Sequence, residues 1–138
     1  MPILGWNNKF NLRIELLDGH HRHMVSLLNC AYDNFAENSN REALCRVIEE
    51  LIDYTDHHFC VEEHWMKKTA FPQYAEQVEQ HRSFARRAVV IKNDLALGLK
   101  NLPLEVLDFF RNWLTYHIEA DAGFALYMSE SQSGQCAA

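Results

Sequence analysis

At 138 residues the chain has the size of one domain, long enough to bury a substantial core. Its 48% hydrophobic and 23% charged residues suit a soluble globular protein, and only five Gly and three Pro leave little material for the many turns of an all-β fold. A net charge of -6, with basic residues never more than two in a row, as at Lys67-Lys68 and Arg86-Arg87, argues against a nucleic-acid-binding face, and no apolar run approaches the roughly 18 residues of a membrane span.

The opening M-P-I-L-G-W-N-N-K-F lacks a charged segment followed by an apolar one, so no secretory signal is expected. These first dozen residues, Trp6 among them, read as an irregular arm packed on the rest. Asp18 is a candidate cap for a first helix whose apolar positions Met24, Leu27, Leu28, Ala31 and Phe35 recur at helical spacing, ending near Glu37. Asn40 is placed to cap a second, carrying Leu44, Val47, Ile48, Leu51, Ile52 and Thr55 on one stripe and running to Lys68. Phe71-Pro72 marks the next boundary, because proline disfavours helix before itself. The third helix is expected from about Gln73 to Leu99, with Val78, Phe84, Ala88, Ile91 and Leu95 inward and Gly98 and Pro103 as punctuation. The fourth spans Leu104 to Met128, with Leu107, Phe110, Leu114, Ile118 and Leu126 as core positions. The pattern predicts an all-α, antiparallel up-down-up-down four-helix bundle: one domain over residues 1–130 and a disordered tail over 131–138. Cys30, Cys45, Cys60 and Cys136 are widely spaced with no C-x-x-C, which suits reduced thiols in a cytoplasm better than disulfides or a cysteine-held zinc.

Chemistry concentrates in the eight histidines. His58 and Glu62 stand four residues apart, about 40° around a helix and one turn along it, so both can point at one object. His117 and Asp121 repeat that relation on the fourth helix, while His21 lies on the first and His81 on the third. Any one pair is equally well a solvated or core ion pair. The concurrence of a histidine from every helix, at heights an antiparallel bundle can align, favours a buried metal site. Imidazole and carboxylate donors suit iron, manganese or zinc rather than copper(I). Two Glu-x-x-His motifs, which a ferritin-like di-iron site needs, are absent. His20, His23, His57 and His64 read as surface or supporting residues.

Three segments carry a family resemblance: D-G-H-H at 18–21 followed by M-V-S-L-L-N, Y-T-D-H-H-F-C-V-E-E at 54–63, and W-L-T-Y-H-I-E-A-D at 113–121. From Trp6 to about Tyr127 the chain resembles a bacterial hemerythrin. The resemblance implies two non-heme iron ions, with no heme, bridged by two carboxylates and an oxo or hydroxo group, binding dioxygen reversibly. Carried over residue by residue, His21 and His58 hold one iron and leave a position open for dioxygen. His81 and His117 hold the other, with Glu62 and Asp121 as bridges. Met24, Leu28, Trp113, Leu114 and Ile118 are candidates for an apolar wall around the oxygen pocket, although each suits ordinary core equally well. A dioxygen-storing, delivering or sensing protein follows, expected to be a cytoplasmic monomer whose partners are an oxygen-using enzyme or an electron donor.

Two positions depart from the family pattern. Gln77 stands one turn before His81, where the family places another histidine, and Asp121 follows His117 by four residues where the family's spacing is five. The shortened spacing is expected to rotate the carboxylate by about 100° unless the helix adjusts. Three readings of Gln77 stay open: an amide-oxygen ligand, a position left open or to water, or compensation by Glu63, His64 or Glu119. The open or water-filled position is preferred at this stage, and it suggests an alternative function, a di-iron redox enzyme acting on peroxide or nitric oxide. A degenerate bundle holding one metal, zinc or none is the third reading.

Overall fold

A computed structural model describes residues 2–38, 41–98 and 102–137. After a short 3-10 turn at Asn8–Phe10 come four helices, α1 (Glu15–Asn38), α2 (Arg41–Lys68), α3 (Tyr74–Ala96) and α4 (Leu102–Ala137). Helix α1 packs on α2 and α4, and α3 on the same two, the square arrangement of an up-down-up-down bundle. No strand occurs among the described residues. No helix among them is long and apolar enough to cross a membrane.

The helix starts and stops follow local chemistry. Asp18 is not the N-cap expected of it: α1 begins three residues earlier, and Asp18 lies in its first turn. Its carboxylate turns back to accept hydrogen bonds from the backbone N–H of Leu12 (2.9 Å) and Arg13 (3.1 Å). That clamp holds Arg13 at φ 62°, the left-handed region that turns the arm into the helix. The Asn40 cap lies outside the described residues, as does Leu99 at the expected end of α3. Helix α2 closes in a Schellman arrangement, with Phe71 N–H bonded to Met66 C=O (2.9 Å) and Ala70 N–H to Lys67 C=O (3.2 Å). Ala70 takes the left-handed position, φ 55°, usually given to glycine. The Tyr127 hydroxyl donates to the carbonyls of Thr69 and Ala70 and closes the end. Gly98 turns left-handed, φ 71°, just beyond α3 as expected. Helix α4 continues to Ala137, so 131–137 prolong the helix where the sequence suggests a disordered tail. The stretch holds one glycine and no proline, and each further residue of an established helix adds a hydrogen bond.

The arm packs as expected. Asn29 pairs with both backbone groups of Leu4 (3.0 and 2.9 Å), the Arg22 guanidinium lies 4.8 Å over Trp6, and Phe10 is buried. Burying a side chain such as Phe10 stabilises the fold by roughly 1.5–3 kcal/mol.

Two apolar clusters divide the interior. The larger contains Met24, Leu28, Ile48, Leu51, Phe59, Phe84, Ile91, Phe110, Leu114 and Ile118, and the smaller Leu17, Met66, Phe71 and Phe124. Each of α1, α2 and α4 passes from one cluster to the other through a polar layer, at His21, at Glu62 and at Asp121. Leu126, expected in the core, is 61% exposed, and Phe124 takes the inward place. Phe124 lies three residues beyond the buried Asp121, about 60° away around the helix, whereas Leu126 lies five residues beyond it, about 140° away.

Candidate metal centre

The polar layer is built by helical spacing. His58 and Glu62 on α2 and His117 and Asp121 on α4 point inward as i, i+4 pairs, and His21 meets them from α1. One donor atom from each of these five buried residues lies within 4.8 Å of all the others. Asp121 Oδ2 is 3.0 Å from both His21 Nε2 and His117 Nε2. Glu62 reaches two ways: Oε2 lies 2.9 Å from His58 Nε2, and Oε1 lies 3.2 Å from His81 Nε2 on α3. His117 stands between both groups, its ring centroid 5.1 Å from that of His58 and 5.6 Å from that of His81.

The expected rotation of Asp121 away from the centre does not occur. Helix α4 is regular through this stretch, and a carboxylate four residues after His117 falls on the same face of a regular helix without a bulge. Ala122, one residue on, is exposed. Of the residues considered as compensating ligands, His64 and Glu119 face outward. Glu63 instead accepts from His81 Nδ1 at 2.8 Å.

His20 is the residue whose role sequence reasoning left undecided. It is buried beside the centre, its Nδ1 2.9 Å from His58 Nδ1. With His58 Nε2 presenting its lone pair to a metal, Nδ1 keeps the proton and donates it to His20. Glu63 and His20 thus orient His81 and His58 as supporting partners orient metal-binding imidazoles generally. Adjacent in sequence to the candidate ligands His21 and Glu62, His20 and Glu63 carried a positional signal, but adjacency in sequence does not reveal which ring nitrogen a side chain will meet.

Aromatic rings enclose the α3–α4 side. Phe59 stacks on His81 with centroids 3.9 Å apart and planes 6° from parallel, and Trp113 stacks on His117 at 4.9 Å and 11°. Phe84 lies 4.2 Å from Trp113. Met24, Leu28, Leu114 and Ile118 are buried in the larger cluster, with Trp113 partly buried against it. Phe59 belongs with this group although sequence reasoning left it out; its place directly after His58 was the available signal.

The electrostatics are those of a preorganised cation site. Burial pushes the His58 imidazolium down, but the carboxylates of Asp121 and Glu62 outweigh it and raise its pKa to about 9. Burial is likewise overcome at His81, raised by Glu62 and Glu63. At Asp121 burial favours the neutral acid, yet His117, with further hydrogen bonds including one from His21, holds the carboxyl well below its usual range. Burial wins at His21, which is lowered, and at His20, which burial and the neighbouring His58 lower to about 4. Six buried polar atoms of this layer make no well-aligned hydrogen bond, namely His21 Nδ1, both oxygens of Glu62, Gln77 Oε1, His81 Nε2 and Asp121 Oδ1, although the Glu62 oxygens stand within ion-pair range of His58 and His81. Each such atom costs about 1–3 kcal/mol when unsatisfied. Their concentration among imidazole, carboxylate and amide donors fits a non-heme iron site, in which a cation supplies the missing partner.

A family model described as the hemerythrin HHE cation binding domain matches residues 12–122, most of the chain and every residue of this layer. The chain belongs to the hemerythrin family. Among curated hemerythrins, the bacteriohemerythrin of Stenotrophomonas maltophilia is 30% identical over 122 residues, covering 88% of this chain and 78% of that protein. That of Methylococcus capsulatus is 24% identical over 119 residues, covering 86% and 90% respectively. The crystal structure of wild-type hemerythrin superposes with a TM-score of 0.81 at 23% identity, covering 88% of this chain and 94% of that one. At that identity the structural likeness shows the hemerythrin fold, which agrees with the bundle described above.

Proposed function

We propose that the polar layer holds two non-heme iron ions and that this hemerythrin binds dioxygen reversibly, for storage, delivery or sensing. The observation that carries the reading is the five-donor cluster from three helices, with Glu62 offering its second oxygen to His81 on the fourth. In this reading His21 and His58 hold one iron, His81 and His117 the other, and Glu62 and Asp121 span the pair. The relatives' name, bacteriohemerythrin, points the same way.

The iron pair supplies the electrons that make dioxygen binding strong and reversible; the chain supplies selectivity. Met24, Leu28, Leu114 and Ile118 are buried apolar side chains, so they would keep water from the iron held by His21 and His58. The stacked Phe59–His81 and Trp113–His117 pairs shield the other side from solvent protons. His20 and Glu63 fix the ring orientation of His58 and His81. These residues bind and shield. We therefore read the protein as a carrier rather than an enzyme, acting as a monomer with an oxygen-using enzyme or an electron donor as its partner.

Iron analysis with an optical spectrum tests the proposal. Two irons per chain are expected, with visible charge-transfer bands that vanish under vacuum and return in air. One metal or none in protein from iron-replete cells overturns it. So does turnover of peroxide without a stable oxygenated form, the mark of a redox enzyme.

A further inference from the structure

The donors of the polar layer divide into two sets. His21, His58 and His117 gather around Glu62 and Asp121 in the compact five-donor cluster. Outside that cluster stand two more donors, both on α3: His81 Nε2, which meets Glu62 Oε1 at 3.2 Å, and Gln77 Oε1. Gln77 lies on the buried row Gln77, His81, Phe84, Ala88, Ile91 and Leu95, one turn before His81. Apart from these two, the row is apolar. Gln77 is 6% exposed, and its Oε1 accepts no hydrogen bond.

A buried amide oxygen without a donor is a cost unless something not in the chain uses it. A water could donate to it, but a cation serves it together with the other orphaned donors of the layer. We propose that Gln77 is a metal ligand through Oε1, completing with His81 and His117 a second metal position that is richer in oxygen and weaker than the first. This rests on the two-metal reading above and deepens it. Like imidazole, the amide is neutral, so the charge balance of the centre is unchanged. It is a harder and less basic donor, which suits iron or manganese but lowers the affinity for later divalent metals that imidazole favours. The two positions therefore fill in order, and the Gln77 position empties first.

The test is an anaerobic titration of the metal-free protein with cobalt(II), whose visible bands report each position as it fills. Two sequential equivalents are expected for the natural chain. Gln77→Leu, nearly isosteric and apolar, is expected to retain the first equivalent and weaken the second by about tenfold or more, the scale on which even supporting partners of a metal site act. Gln77→Glu is expected to restore the second equivalent. Melting of the metal-free proteins separates a ligand from a packing role: Gln77→Leu removes an unpartnered amide, so its metal-free form is expected to melt at or above the natural temperature. Two unchanged equivalents in Gln77→Leu overturn the proposal and leave the two-metal reading standing. A marked fall in metal-free melting temperature also overturns it, by assigning Gln77 a structural role. A single equivalent in the natural chain overturns the two-metal reading itself and the proposal with it.

Discussion

Replacing Asp18 by alanine removes both acceptors that hold the arm-to-α1 turn. Leu12 N–H and Arg13 N–H then lose charge-assisted bonds of 2.9 and 3.1 Å, the first of them buried. A hydrogen bond to a charged group contributes about 1.5–3 kcal/mol net. Two of them, one only partly buried, give an expected loss of roughly 3–4 kcal/mol. For a chain of this length, 1 kcal/mol corresponds to about 4 °C in melting temperature, so Asp18→Ala is expected to melt roughly 12–16 °C lower. Asp18→Asn, which keeps one acceptor without charge, is expected to lose about half as much. The assay is thermal unfolding of the metal-free protein followed by circular dichroism, so that metal binding does not enter. A drop below about 3 °C for Asp18→Ala would refute the reasoning, since it would mean that solvent satisfies those N–H groups as well as the carboxylate does.

Ala70→Gly is expected to stabilise the protein by about 0.5 kcal/mol: relief of the left-handed strain, about 1 kcal/mol, outweighs the greater freedom of glycine in the unfolded chain. A fall in denaturation midpoint would contradict it. The stability of the metal-free protein is expected to peak near pH 6.5. His58, raised to about 9, and His81, also raised, contribute stability that is complete below pH 6.5 and lost as pH climbs through their folded values, about 9 for His58. His20, lowered to about 4, and Asp121, held below its usual range, have the opposite effect, so stability falls from pH 6.5 down through 4 and beyond. Melts from pH 4 to 10 check the bell shape, and a monotonic curve would rule it out. Because a metal must displace the His58 proton, cobalt(II) affinity is expected to rise with pH up to about 9, which proton release on titration would detect directly. His20→Phe leaves the His58 Nδ1 proton without an acceptor, so metal affinity is expected to fall about 10–100-fold; unchanged affinity would assign His20 to packing alone.

The number and order of the helices were legible in the apolar spacing, because a 3.6-residue period survives whatever a helix packs against; their ends were not, since α1 begins before Asp18 and α4 runs on to Ala137. So were six of the layer's polar residues, since i, i+4 pairs and one histidine per helix are statements about sequence distance. Caps were less legible. Asp18 has the composition of an N-cap, but whether its carboxylate turns forward into the helix or back to the arm depends on the path of Leu12 and Arg13. Leu126 and Phe124 compete for one inward place, and only the rotation of α4 against its neighbours settles it.

The amino-acid sequence by itself determined the bundle, its family and the chemical identity of the donors. Tertiary structure alone decided which atoms meet. It set the inward direction of Asp121 at its short spacing, the pairing of His20 with His58 and of Glu63 with His81, and the burial of Gln77 without a partner. The reason is geometric. Periodicity specifies the face of a helix on which a side chain stands, whereas hydrogen bonds and metal coordination are decided over about 3 Å, by the rotation and height of one helix against three others.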